Sequence, residues 1–537
     1  MTLVYRSADL DVAPKVMELA NTTHSSMGDA HGNTLKIIYT LMEEGILEFS
    51  PDDYRALRDI FKTPINLPTN SKLSTEEHFA FVREQLIKFE EIIKRAKVNP
   101  VIAHTIIGDE LCDRGTNDYF TLKLLDMLYK KGANIDILLS NHGVEFLIDY
   151  ERDIFVGYSK LGWGQSESLV NMVFLIRNKI VDEQEIRDMV KLSYLPMLKA
   201  INYTLSPEGE LTVFTHAPVG LETIKAIAEL FNIPYKDQSI KGLITTIDNI
   251  NVHLQANIGK NKLATSITNI GYSNSAPIPL SNPLFRLTWN RVLGEELVTK
   301  PAGNFKVKFV HGHVGPESLN LPSHENLDNL FGKSPLNSKT DKDTKQFTRR
   351  SSDITAKQLA EDPSLLTKIT KNVYKLESFK YLMELQTTTT RLIGESEKYF
   401  NYEEVGKAAN TLISALESAH KAFFAAENLK PSDFIKFDET VKDAIAKATP
   451  EFKNHRAWFQ TLSPILKRIL GVLALIPFCI PALIVSYKSR TGFIDTFFGT
   501  PDTNAFVSLQ AYKANMDNFI KNNLEDEFND PNQSLDI

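Results

Sequence analysis

The chain has 537 residues, 42% hydrophobic and 24% charged, a balance that suits a soluble protein of two or three domains with a substantial core. A formal net charge of −7 leaves no basic footprint and argues against general nucleic-acid binding. The two cysteines, Cys112 and Cys479, lie far apart; they exclude a disulfide framework and suit a reducing compartment.

The opening Met1-Thr2-Leu3-Val4-Tyr5-Arg6 has no basic region followed by an apolar core, so no Sec-type signal peptide is expected. Short apolar runs at residues 101–107, 135–139, 211–214 and 305–310 predict strands, each ending at a polar motif. Helical stretches such as residues 118–130 lie between them. This alternation predicts a layered α/β domain over residues 1–335, with its chemistry on loops that leave strand ends.

Two insertions, about residues 50–98 and 152–208, read as helical. In the first, Ser74-Thr75-Glu76-Glu77 forms a capping box, and Phe79, Val82, Leu86, Phe89 and Ile93 follow as one helical stripe. Each insertion is either a cap packed on the core or a lid that selects substrate. Residues 336–352 are polar and read as a linker; Arg349-Arg350-Ser351-Ser352 within it matches a kinase site of a kind common by chance. Residues 353–467 read as an all-helical C-terminal domain. Residues 468–537 hold an uncharged run, 469–486, close to membrane-span length, then an acidic tail with Glu525, Asp526, Glu527, Asp530 and Asp536. Pro477 and Pro481 would break a helix in that run, which is either a buried hairpin or a membrane-touching segment.

Five short motifs occur in order: Gly28-Asp29-Ala30-His31-Gly32-Asn33, Gly108-Asp109-Glu110-Leu111-Cys112-Asp113-Arg114-Gly115, Asn141-His142, His216-Ala217-Pro218 and Gly312-His313. All but the first follow an apolar strand-like run; residues 21–26, before the first, are polar. Hydrolysing a phosphate monoester adds water to an anion. Two divalent metals about 3.5–4 Å apart can bind the phosphate oxygens and lower the pKa of a bridging water. Such a pair needs carboxylate oxygens and imidazole nitrogens, with one carboxylate bridging. Asp29, His31 and Asp109 are candidates for one ion; Asp109, Asn141, His216 and His313 are candidates for the other. A neutral Asn141 limits the negative charge facing an anionic substrate.

His142 is the candidate general acid for the leaving alkoxide, with Asp113 holding its imidazole protonated and oriented. Arg114 is the candidate phosphate clamp, because its planar fork matches two oxygens. Arg291, in Trp289-Asn290-Arg291, is a second clamp or an arginine stacked on tryptophan. Each motif alone is weak, and the ordered set is not. The histidines outside it, among them His24, His104, His311 and His324, read as structural.

This set resembles the phosphoprotein phosphatase family of calcineurin-like metallophosphoesterases, over about residues 15–335. The resemblance implies a central β-sandwich flanked by helices and a centre of two divalent ions, manganese first, with iron or zinc as options. It also implies direct attack by a hydroxide bridging them, without a phosphoenzyme. Three departures stand out. The second motif carries an extra residue between Asp109 and Asp113, so its loop must bulge to keep Arg114 aimed. The third has Gly143 where the family has glutamate, and Glu145 is a candidate substitute. The fourth reads His216-Ala217-Pro218, unlike the common eukaryotic form. Gly315 stands where broader relatives carry another histidine, which favours phosphoprotein phosphatases proper.

The whole chain is most similar to the Wip-type effector phosphatases of Legionella. That implies delivery into a host cell by type IV secretion, host phosphoproteins as partners, and work in the host cytosol or on its membranes. The leading expectation is a Ser/Thr phosphatase acting on host proteins. A phosphotyrosine phosphatase on the same scaffold, a dinucleoside polyphosphate or other small-molecule phosphoesterase, and a host-binding scaffold working through the C-terminal region stay open.

Overall fold

A computed structural model describes residues 2–370 except 18–20, 64–73, 154, 156–164, 268–277, 293–296, 304, 316–320 and 334–344. Beyond these it describes the helix Glu403–Ala425 and isolated positions between 390 and 448. The chain divides into two units, one made of residues 1–236, 243–301 and 306–362, the other of residues 237–242, 302–305 and 363–537.

The first unit begins with β1 (Thr2–Ser7), β2 (His24–Met27), α1 (Thr34–Glu43), β3 (Leu47–Glu48), α2 (Pro51–Phe61) and α3 (Thr75–Arg95). It continues through β4 (Lys97–Val98), β5 (Ala103–Ile106), α4 (Asp118–Lys130), β6 (Ile135–Leu138), α5 (Asn141–Glu151), α6 (Glu167–Arg177) and α7 (Glu183–Met189). A π-helical turn (Val190–Tyr194) leads to α8 (Leu195–Met197), β7 (Leu198–Lys199), β8 (Asn202–Leu205), β9 (Glu210–Phe214) and α9 (Leu221–Leu230). Last come α10 (Ile240–Ile258), α11 (Leu263–Ser266), α12 (Pro283–Trp289), β10 (Lys306–His311), β11 (His324–Asn326), β12 (Lys345–Ser351), β13 (Ile354–Thr355) and α13 (Ala356–Glu361).

One sheet has the order β1-β12-β2-β5-β6-β7, with β2, β5, β6 and β7 parallel; the other has the order β11-β10-β9-β8-β13, with β11, β10 and β9 parallel. The two face each other across a core that joins Ile107 and Leu138 to Phe214, Val310 and Leu327. A polar layer also crosses between them. Asn202 Nδ2 donates to Thr105 Oγ1 at 2.9 Å, and the His24 ring lies 5.1 Å from that of Phe214. This is the expected mixed α/β architecture, with a β-sandwich at its centre and helices around it.

The strands expected at 101–107, 135–139, 211–214 and 305–310 are present as β5, β6, β9 and β10, and the helix at 118–130 as α4. The capping box forms at α3: Ser74 N–H donates to Glu77 Oε2 at 2.8 Å and Glu77 N–H to Ser74 Oγ at 3.2 Å. Its stripe is buried at Val82, Leu86, Phe89 and Ile93, and Phe89 packs on Phe120 of α4 at 4.5 Å between centroids. The helix Glu403–Ala425, in the second unit, buries Ala409, Leu412, Leu416, Ala419 and Phe423, the single face of an amphipathic helix.

One strand was not read from the sequence, and two expectations need correction. The polar residues before the first motif form β2, a central strand buried along its whole length. Their side chains are satisfied inside the sheet: His24 Nε2 lies 2.9 Å from Thr105 Oγ1, and Ser25 Oγ lies 2.7 Å from His104 Nδ1. The insertion at 152–208 is helical only to Met197, since β7 and β8 lie within it. A tight turn at residues 206–209 folds β8 back antiparallel to β9. Finally, residues 345–351 of the expected linker form β12, inserted between β1 and β2. Partners neutralise the charges on this strand: Arg350 Nε pairs with Glu44 at 2.7 Å, and Arg349 lies over the Phe214 ring and donates to Thr212 Oγ1 at 3.1 Å. The Arg349-Arg350-Ser351 part of the kinase-like motif is buried in the sheet. The first unit accordingly runs on to Asp362.

Among the described residues no helix is long and apolar enough to cross a membrane. The run at 469–486 and the acidic tail lie outside the described residues.

Candidate metal centre

The five motifs stand on the loops after β2, β5, β6, β9 and β10, and so meet at one end of both sheets. Main-chain bonds lace the first two together: Ala30 N–H donates to Gly108 O at 2.9 Å and Gly32 N–H to Asp109 O at 2.7 Å. Asn33 caps α1 by accepting from Lys36 N–H, and Ser140 caps α5, which sets Asn141 and His142 in its first turn. His31, Asp109, Cys112 and His313 all have φ between 54° and 65°, a costly conformation for residues with side chains. They are four of the nine non-glycine positions with positive φ among the described residues.

Two groups of potential ligands result, Asp29 with Asp109 and His216, and His31 with Asp109 and Asp113; within each, the donor atoms lie within 4.8 Å of one another. Asp109 belongs to both, the place a bridging carboxylate needs. The grouping differs from the expected one, because Asp29 sits with His216 and the His31 group takes in Asp113. Asn141 Oδ1 lies 2.8 Å from His216 Nε2, and the His313 ring centroid is 4.9 Å from that of His216. The His313 N–H donates to both Asp29 oxygens at 3.1 Å.

The donor set fits divalent ions. Asp109 Oδ1, His31 Nδ1 and His313 Nε2 are buried without hydrogen-bond partners, which a protein rarely tolerates unless something else binds there. The Asn329 carbonyl, 2.8 Å from His31 Nε2, can only accept, so Nε2 carries the proton and Nδ1 is left as a lone pair. The Ile107 carbonyl, 2.8 Å from His216 Nδ1, likewise leaves His216 Nε2 as a lone pair facing Asn141 Oδ1. Two acceptors in contact are relieved by a shared cation.

Asp113 lies between two imidazoles, Oδ2 at 3.6 Å from His31 Nδ1 and Oδ1 at 3.7 Å from His142 Nε2. Burial alone would raise its pKa, but His142, His31 and Arg114 outweigh that and hold the carboxyl below its usual range. Burial lowers the His142 pKa; Asp113 first, then Asp109 and the Cys112 carbonyl at 2.6 Å, reverse this and keep the imidazole above its ordinary value. Arg114 is part-exposed and donates to Asp113 Oδ1 at 2.7 Å and Gln165 Oε1 at 3.2 Å. Arg291 is exposed, and its Nη1 donates to the His313 carbonyl at 2.8 Å. The Trp289 ring stands edge-on to His313, 5.9 Å away.

Several residues here were not read from the sequence. Lys36 is 1% exposed and donates to the Asp29 carbonyl at 2.6 Å and to Asn329 Oδ1 at 3.3 Å, a buried cation close to the buried aspartates Asp328, Asp29 and Asp113. Burial lowers its pKa to about 8 against the pull of Asp328 and Asp29. Asp328 Oδ1, 3.8 Å from His31 Nε2, has no hydrogen-bond partner, and burial, followed by Asp29, pushes its carboxyl well up. Nothing flagged Lys36 because every residue of α1 is buried, so no polar face marks it. Asp328 follows a strand too short to be read.

Glu110, in the longer second motif, is buried, with its pKa raised to about 8 chiefly by burial, and it meets the Tyr194 hydroxyl at 2.5 Å. A Cβ on Gly143 would lie 3.7 Å from Glu110 Oε1. Glu110 thus brings a carboxylate near the position where the family has a glutamate.

A family described as WipA-like, phosphatase domain, matches residues 103–333, which hold the second to fifth motifs. Among solved structures, the chain is similar to the phosphatase domain from the Legionella effector WipB, with 30% sequence identity, 54% of this chain and 98% of that chain covered, and a TM-score of 0.47. No curated protein matches. Residues 103–333, with four of the five motifs, therefore belong to the WipA-like phosphatase domain family.

Proposed function

We propose that this phosphatase is a metal-dependent protein phosphatase that hydrolyses phosphoserine and phosphothreonine on proteins of a host cell. The observation that carries the reading is the pair of ligand groups sharing Asp109, with buried unpartnered atoms on Asp109, His31 and His313. Asp29, His31, Asp109, Asn141, His216 and His313 would hold two divalent ions, manganese first, with iron or zinc as options. When bound, such ions supply Lewis acidity and make water nucleophilic at neutral pH.

The remaining chemistry belongs to the chain. Arg114 releases Asp113 and Gln165 and takes two phosphate oxygens, and Arg291 stands ready as a second donor from beside His313. His142 gives a proton to the leaving serine or threonine oxygen. Asp113 keeps that proton in place until it is needed, and the Cys112 carbonyl fixes the tautomer through Nδ1. Asn141 contributes an oxygen without adding charge against the anion.

Kinship with a Legionella effector supports delivery into a host cell, and a type IV route with action in the cytosol or on membranes belongs to the same reading. The test is a phosphopeptide panel with the full chain and Mn²⁺. Turnover of phosphoserine and phosphothreonine peptides is expected. Turnover of phosphotyrosine alone, or of dinucleoside polyphosphates alone, would overturn the substrate assignment.

A further inference from the structure

The loop that carries Arg114 is one residue longer than the family pattern and has no strand or helix between Ile106 and Asp118. A free loop of that length pays in conformational entropy each time it aims a side chain. Helix α6 of the second insertion is built against it. Ser168 grips Asp113 in both directions: its Oγ accepts from Asp113 N–H at 3.0 Å, and its own N–H donates to the Asp113 carbonyl at 2.9 Å. Three residues on, and so on the same face of the helix, Asn171 Nδ2 donates to the Thr116 carbonyl at 2.8 Å. The backbone is thus held just before and just after Arg114.

The other side of the loop is held by Asp118, whose carboxylate accepts from Cys112 N–H at 3.0 and 3.1 Å and binds the Ser168 hydroxyl. The hydroxyl therefore donates to Asp118 while it accepts from Asp113 N–H. Ser168 and Asp118 are fully buried and Asn171 is 7% exposed, so water does not replace these bonds. Space is tight as well, since a Cβ on Gly32 would lie 3.0 Å from Ser168 Oγ.

We propose that Ser168 and Asn171 are positioning residues that aim Arg114 at the substrate phosphate, so that the inserted helix is part of the working site as well as a cover. This rests on Arg114 as the phosphate clamp. Ser168→Ala and Asn171→Ala each lower kcat/KM about tenfold, mainly through KM, because a misplacement well under an ångström already matters at a reacting centre.

The experiment is a double-mutant cycle on the full chain with Mn²⁺. It measures p-nitrophenyl phosphate turnover and inhibition by inorganic phosphate, with Mn²⁺ affinity followed by calorimetry. The proposal expects weaker phosphate inhibition in both single variants, Mn²⁺ affinity within twofold of wild type, and no further loss when either alanine is added to Arg114→Ala. Losses that add to that of Arg114→Ala, or a matching fall in Mn²⁺ affinity, overturn it. Arg114→Ala without loss would overturn the clamp reading itself, a result distinct from additivity. If Ser168→Ala does not fold, the Asn171→Ala cycle decides.

Discussion

Asp113 Oδ1 lies 3.7 Å from His142 Nε2, while the far edge of the same imidazole, Nδ1, is 2.6 Å from the Cys112 carbonyl. The ring is held at both ends, and the carboxylate is the largest influence raising its proton affinity against burial. Removing that charge lowers the His142 pKa, so a general acid is deprotonated at lower pH. Asp113→Asn is expected to move the alkaline limb of the kcat profile to lower pH on a phosphoserine peptide. His142→Ala is expected to cost about 10²–10⁴-fold there, and less on p-nitrophenyl phosphate, whose leaving group hardly needs a proton. An unmoved limb in Asp113→Asn would remove His142 from the acid role.

Gly312 leaves room for Asp29. A Cβ at that position would sit 2.0 Å from Asp29 Oδ1, while the neighbouring His313 N–H pins the same carboxylate. Gly312→Ala should displace Asp29 with little effect on the rest of the fold. The expected result is a loss of Mn²⁺ affinity of about 10–100-fold, the range for disturbed ligand support, measured by calorimetry. Unchanged affinity would exclude Asp29 as a ligand.

The catalytic unit cannot be cut at the polar stretch. Because β12 lies between β1 and β2, a fragment ending at residue 340 loses an internal strand, leaves β1 without a partner and exposes β2 as the new edge. A fragment of residues 1–362 is expected to be soluble and active on p-nitrophenyl phosphate, and one of residues 1–340 to aggregate. Equal activity of the two would contradict the pairing of β12.

His104 is buried, with Nδ1 2.7 Å from Ser25 Oγ and Nε2 unpartnered, and burial lowers its pKa to about 4. Its folded pKa is below the unfolded value of about 6.5, so its contribution to stability is present above that value and is lost as pH falls toward 4. By pH 5 the loss is about 2 kcal/mol. Urea titrations at pH 7.5 and pH 5 should show a smaller acid loss in His104→Asn than in wild type. An identical loss would mean that His104 is not buried neutral.

Wherever a motif followed an apolar run, as after residues 101–107 or 305–310, both the strand and the candidate residues at its end were legible, because a buried strand declares itself through β-branched and aromatic side chains. The polar strands were not. His24-Ser25-Ser26 in β2 and Thr348-Arg349-Arg350 in β12 look like loop and linker, yet both are central in the sheet, since their hydrogen-bond and charge partners come from residues far away in the chain. Ser168 was invisible for the same reason: a serine at a helix start has no distinguishing signal until Asp113 is seen beside it.

The family resemblance, the five motifs and the residue types suited to a phosphate-hydrolysing centre were readable in the chain alone, because metal and phosphate chemistry restrict which side chains can serve. Which candidate ligands stand together, where Lys36 lies, that the Glu110 carboxylate comes near Gly143 and that α6 grips the Arg114 loop became visible only in the folded arrangement. Those are contacts between residues distant along the chain, and local pattern carries no record of such pairs until the sheets bring them together.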